Sequence, residues 1–115
     1  MKRDIRLYLQ DIWESILAIE QYIEKTDEQA FYKNMMVQDA VLRRLEIIGE
    51  AVKNLDKHFR DQYPETEWKK IAGMRDVLAH EYFGVRLDRI WDAVKNRLPA
   101  FKNQIQKMRA EKNAE

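Results

Sequence analysis

Val37, Val41, Leu45, Ile48, Val52 and Leu55 follow one another at intervals of three and four residues. A helix turns about 100° per residue, so this spacing gathers all six side chains into one apolar stripe, whereas a strand would scatter them over both faces. The pattern recurs along the chain. Ile5, Leu9, Ile12, Ile16, Ile19 and Ile23 form a stripe between about Arg3 and Lys25, and Trp68, Ile71, Met74, Leu78 and Tyr82 form another after Pro64. Leu87, Trp91, Val94, Leu98, Phe101, Ile105 and Met108 make the last. No stretch alternates with the period of a strand. Each stripe must be covered by another, and the connections are short, so the expected fold is all-α: an up-and-down four-helix bundle with short extra turns.

Punctuation between the stripes agrees with this reading. Thr26 or Asp27 is placed to cap a short extra turn before Asn34, and "KHFRDQYPET" reads as a single-turn or irregular connector. Thr66 is the expected cap of the third helix, and Gly84 its end. Pro99 has no amide to bond the carbonyl of Lys95, so it should kink the fourth helix or start a second piece. Gly49, in mid-helix, costs roughly 1 kcal/mol relative to alanine and is expected where another backbone comes close. At 115 residues the chain is read as a single domain over 1–115, with 109–115 a frayed tail.

Composition removes several classes of function. Without cysteine there is no disulfide, thiolate metal site or cysteine nucleophile. The segment "MKRDIRLYLQ" mixes charges with its apolar residues, which fits neither a signal peptide nor a membrane span; the expected location is cytoplasmic. A net charge of +1 argues against nucleic-acid binding by bulk charge alone. Residues 84–115 do hold eight basic and four acidic groups, against four basic and seven acidic in 1–32. That end is placed to face phosphate or an acidic partner, although a solvated helix face explains the same count.

The stretch "GMRDVLAHEYFG" concentrates Arg75, Asp76, His80 and Tyr82. On a helix, Gly73, Asp76 and His80 fall opposite the apolar side, and the i, i+4 pair lets the Asp76 carboxylate orient the His80 ring. Arg75 and Tyr82 lie nearly in line, and the small residues Ala72, Gly73 and Ala79 leave room for a ligand or a second chain. A histidine can take a proton from a sugar hydroxyl or return one to a leaving oxygen, and an arginine can hold a phosphate bidentately. These are the parts of a metal-free ribonuclease, with the RNA 2′-hydroxyl as nucleophile. One helix supplies one such histidine; two helices across a two-fold axis supply a base and an acid. Solvated surface groups would show the same spacing. His58 reads as a solvated connector residue, no metal spacing is present, and Trp68 and Trp91 read as core. Arg43, Arg44, Glu46 and Glu50 are either surface pairs or part of a cleft.

The words "AVLRRLEIIGEAVKNL", "PETEWKKIAGMRDVLAHEYFGV" and "IWDAVKNRLPAFKNQI" resemble the HEPN superfamily, specifically its HepT-like toxins, over residues 37–105. The first helix matches in pattern only. The resemblance implies an endoribonuclease toxin of a type II toxin–antitoxin system, active as a homodimer with its R-x-x-x-x-H-x-Y motifs in a shared cleft. Arg75 and His80 would be catalytic, with Asp76 and Tyr82 in support. It further implies a cognate minimal nucleotidyltransferase as antitoxin, which transfers AMP to the motif tyrosine, here Tyr82, and blocks cleavage of the RNA substrate. No cofactor, structural metal or membrane is implied. Asp76 departs from the asparagine common at this place; its carboxylate would repel RNA phosphate but raise the pKa of His80. The competing reading is a non-catalytic module that pairs with a nucleotidyltransferase or presents a nucleotide pocket.

Overall fold

A computed structural model of the chain describes residues 3–73 and 86–115. The described residues are helical with turns between, and contain no strand. Helix α1 spans Ile5–Ile23, α2 Glu28–Lys33, α3 Met35–Asn54 and α4 Lys57–Asp61. Residues 68–73 are helical and are called α5 here. Then α6 (Leu87–Asp92), one stretch of π-helix (Ala93–Arg97) and α7 (Leu98–Asn113) run on without interruption.

Among the described residues, most stripe positions lie in the core. Leu9, Ile12, Ile16 and Ile19 of α1 are fully buried, as are Val41 and Val52 of α3 and Ile105 and Met108 of α7. Helix α1 is the central element and packs on both α3 and α7. Its direction relative to α7 follows from two long-range pairs: Arg109 donates to Gln10 at 2.7 Å, and Lys102 to Glu20 at 2.9 Å. Later residues of one helix meet earlier residues of the other, so the pair is antiparallel. Trp13, half-buried between them, lies under both the Lys102 ammonium and the Arg109 guanidinium. Such contacts bury the aliphatic stems of the cations while their charges stay at the surface.

Helix starts are set by side-chain caps that satisfy amides left without a partner in the first turn. Asp4 accepts from the Arg6 amide, Asp27 from Ala30, Asn34 from Val37 and Asp56 from Phe59. Of the two residues expected before the extra turn, Asp27 is the cap. Thr66 is not a cap through its side chain: its hydroxyl is buried without a hydrogen-bond partner. Its carbonyl instead accepts from the Trp68 amide, and the Glu67 carbonyl takes the first α-helical bond, from Ile71.

Pro99 acts as expected in starting a new piece, and the backbone before it takes a particular form. The Leu98 amide reaches back five residues to the Ala93 carbonyl, and Pro99 sits in the first turn of α7, where a missing amide costs nothing. The tail is more ordered than its composition suggests. Helix α7 continues through Asn113, beyond the expected fraying point at 109, because late residues find partners. Tyr63 donates to Glu111, and Lys112 lies over the Phe59 ring.

Candidate functional site

Arg75, Asp76, His80 and Tyr82 lie outside the described residues, as do Ala79 and Gly84. What the structure describes is the framework on either side of them.

On the entering side, α5 is fixed at its start by Trp68. The indole N–H donates to the carbonyls of both Arg60 and Tyr63, each at 3.1 Å, and the ring meets Phe101 of α7 edge-on. Phe59 meets both this ring and that of Tyr63 at tilted angles. A single indole thus joins α4, the turn after it and α7, and holds the first residues of α5, which precedes Arg75 in the sequence. Glu67 and Lys70 pair on its outer side at 2.8 Å, and this hydrogen bond holds the Glu67 carboxyl below its usual range. Gly73 is half-buried, and a Cβ there would meet nothing within 4 Å. Among the described residues no neighbour requires glycine at that position.

On the leaving side, Arg86 precedes α6 and holds Asp88 at 2.7 Å. Trp91 packs against Phe31 with ring centroids 5.3 Å apart, and the Lys95 ammonium lies over its ring. Trp68 is buried and Trp91 half-buried, in keeping with core positions. The basic surplus of 84–115 is largely engaged within the chain. Arg86, Arg97, Lys102 and Lys112 all form ion pairs, and Arg109 is held by Gln10 and Trp13.

Among the described residues, two of the concave features bear on this framework. A polar groove of about 340 Å³ runs between the start of α1 and the end of α3, where the Arg3–Asp11 and Arg43–Glu46 pairs face each other. Arg43 and Glu46 therefore both pair on the surface and line a groove, which Glu50 also lines. The other is an apolar cleft of about 110 Å³ floored by Leu45, Ile48, Ile71, Leu98 and Phe101. Its rim carries Glu65, Lys70, Arg97 and Gln104. These rim residues were not singled out from sequence, and no local signal marks them, because they come from three segments that meet only when folded. His58 is exposed on α4.

The sequence matches the family described as ribonuclease HepT-like over residues 12–108, a span that includes α5 and residues 74–85. The chain belongs to the HepT-like ribonuclease family. It is 42% identical to the probable ribonuclease HepT of Thermococcus cleftensis, over 95% of this chain and 99% of that protein. A Methanocaldococcus jannaschii protein named as a candidate RNase is 37% identical over 91% of this chain and 96% of its own length. Another from that organism, whose name joins gamma-glutamylcyclotransferase to a candidate RNase, is 46% identical over 96% of this chain. The chain spans only 50% of that longer relative. No solved structure matches. Among the described residues no helix of this HepT-like chain is long and apolar enough to cross a membrane.

Proposed function

We propose that this HepT-like chain is a metal-independent endoribonuclease whose site is Arg75 and His80, completed across a homodimer. The observation that supports it is the family match over 12–108, which contains the arginine and histidine that the chemistry needs. His80 of one protomer removes the proton from an RNA 2′-hydroxyl. The oxygen attacks the adjacent phosphorus, and the bond from phosphorus to the 5′-oxygen breaks. His80 of the second protomer gives a proton to that leaving oxygen. Arg75 holds the phosphate and stabilises the charge that accumulates on it, and Asp76 orients the imidazole. The products are a 2′,3′-cyclic phosphate and a 5′-hydroxyl.

Tyr82 contacts RNA in this reading and is the point of control. A cognate minimal nucleotidyltransferase antitoxin transfers AMP from ATP to its phenolic oxygen with release of pyrophosphate. The added phosphate then occupies the anion site and neutralises Arg75. The cell compartment that fits this toxin–antitoxin arrangement is the cytoplasm.

The test is cleavage of labelled RNA in EDTA by the unmodified protein and by His80→Ala. Cleavage to a 2′,3′-cyclic end is expected, lost by at least a thousandfold in the variant, with an unchanged circular-dichroism spectrum. Retained cleavage in His80→Ala removes the assignment. Absence of cleavage in both proteins, with Tyr82 shown to be free by intact mass, moves the reading to a non-catalytic partner of a nucleotidyltransferase.

A further inference from the structure

The apolar cleft is bounded by three elements: Leu45 and Ile48 of α3, Lys70 and Ile71 of α5, and the wide turn with the start of α7, from Ala93 to Gln104. Its volume of about 110 Å³ is of the same order as the roughly 150 Å³ apolar cavity that holds one benzene. It is open at the mouth, so a flat ring can enter with its polar edge outward. This volume matches a single six-membered ring more closely than the fused rings of a purine.

The rim states which ring. Lys70 is already paired with Glu67, and Arg97 faces Asp92 at 3.8 Å. Glu65 and Gln104 have no hydrogen-bond partner among the described residues. A carboxylate accepts from an exocyclic amine, and a side-chain amide both donates and accepts, which together match an amino-bearing base edge. The Arg97 guanidinium and the Lys70 ammonium stand on the same rim, where the phosphate attached to a seated nucleoside would emerge. Ile71 is four residues before Arg75 in sequence, so a base held here is close along the chain to the residues proposed to act on the phosphate.

We infer that this cleft is a subsite for one pyrimidine base of single-stranded RNA, and that Glu65 and Gln104 select cytosine over uracil. The inference rests on the ribonuclease reading for its biological substrate, but the binding itself is measurable without cleavage. Single-stranded RNA is the form whose bases are free to leave the stack and enter such a cleft.

The experiment titrates the full-length unmodified chain, labelled with ¹⁵N and methyl ¹³C, with cytidine, uridine and adenosine 5′-monophosphates at millimolar concentration. Cytidine monophosphate is expected to shift Leu45, Ile48, Ile71 and Leu98 methyl signals, with uridine weaker by about tenfold and adenosine weaker still. Ala100→Leu places a larger side chain at an exposed position on the cleft and should weaken binding at least tenfold. Glu65→Gln, on an exposed turn, should narrow the cytidine-to-uridine ratio towards one, and serves where Ala100→Leu disturbs the fold. No shift at the cleft from cytidine monophosphate, in a protein that cleaves RNA, overturns the inference and leaves the ribonuclease reading intact. Cleft binding of cytidine without RNA cleavage upholds the inference and removes the ribonuclease reading. Cleft signals that move with protein concentration alone, and not with nucleotide, overturn it in favour of a second copy of the chain as occupant.

Discussion

Tyr63 shows what one side chain contributes where two elements meet. Its ring is buried beside Phe59, and its hydroxyl donates to Glu111 near the end of α7. Burial, and then the bond to Glu111, push the phenol up to about 12. A phenol free in the unfolded chain loses its proton near 10. Its raised folded value means that the contribution to stability is complete below about pH 10 and fades as pH rises through about 12. Tyr63→Phe keeps the ring and removes the hydroxyl, so near pH 8 it should cost about 1 kcal/mol, read as a melting temperature several degrees lower. Between pH 10 and 12 the wild-type curve should descend towards that of the variant. Parallel curves across that window would show that folding does not raise the Tyr63 phenol. This contact was not legible in the sequence. A tyrosine in the connector and a glutamate in a polar tail give no local sign of meeting, and the same blindness made the tail look frayed.

At the scale of elements, Trp68 does more than occupy a stripe. The spacing of Trp68 and Ile71 announces a helix, and the burial of Trp68 was readable from it. Its indole bonds to Arg60 and Tyr63 were not, since they depend on how the turn after α4 folds back. Trp68→Phe preserves most of the apolar volume but removes both indole hydrogen bonds, while the Arg60 and Tyr63 carbonyls keep the backbone amides of Tyr63 and Thr66 as donors, so a loss of about 1–2 kcal/mol is expected from chemical denaturation. Because this indole fixes the start of α5, just before Arg75 in the sequence, the proposed RNA cleavage should fall in the same variant under conditions where it remains fully folded. Unchanged cleavage would mean that the proposed site residues are positioned from their other side. Caps divide in the same way between legible and hidden. Asp4, Asp27 and Asn34 act on amides two or three residues ahead and are local by nature. Thr66 has the right chemistry and the right place, yet its hydroxyl is turned into the interior without a partner, where tertiary packing outweighs cap preference. Pro99 is an intermediate case. Its missing amide forecasts a break, but whether the chain kinks or takes in a wide turn depends on keeping both Ile90 and Phe101 in the core, and that is a property of the whole packing.

At the scale of the molecule, the bundle followed from stripe spacing because four apolar faces joined by short links have few ways to cover one another. The candidate site was legible as chemistry, in the pairing of an arginine with a histidine, and not as geometry. The number of histidines sharpens the proposed mechanism. The chain has two, His58 and His80, and His58 is exposed on α4 while the motif holds only His80. Cleavage by 2′-hydroxyl attack needs one group to accept a proton and another to donate one, so with a single motif histidine the proposed site is complete only when two protomers meet. Rate should then depend on the square of protein concentration below the dimer dissociation constant and become linear above it, with sedimentation locating the same crossover. A tandem fusion of two copies should abolish the quadratic regime. If base and acid are supplied by different protomers, His80→Ala in one copy of that fusion should lose nearly all activity, because removing either member of a base–acid pair disables the step they share. Strict proportionality between rate and concentration through the range where protomers separate would place both proton transfers within one chain and send the search for the second group to Asp76 or Tyr82.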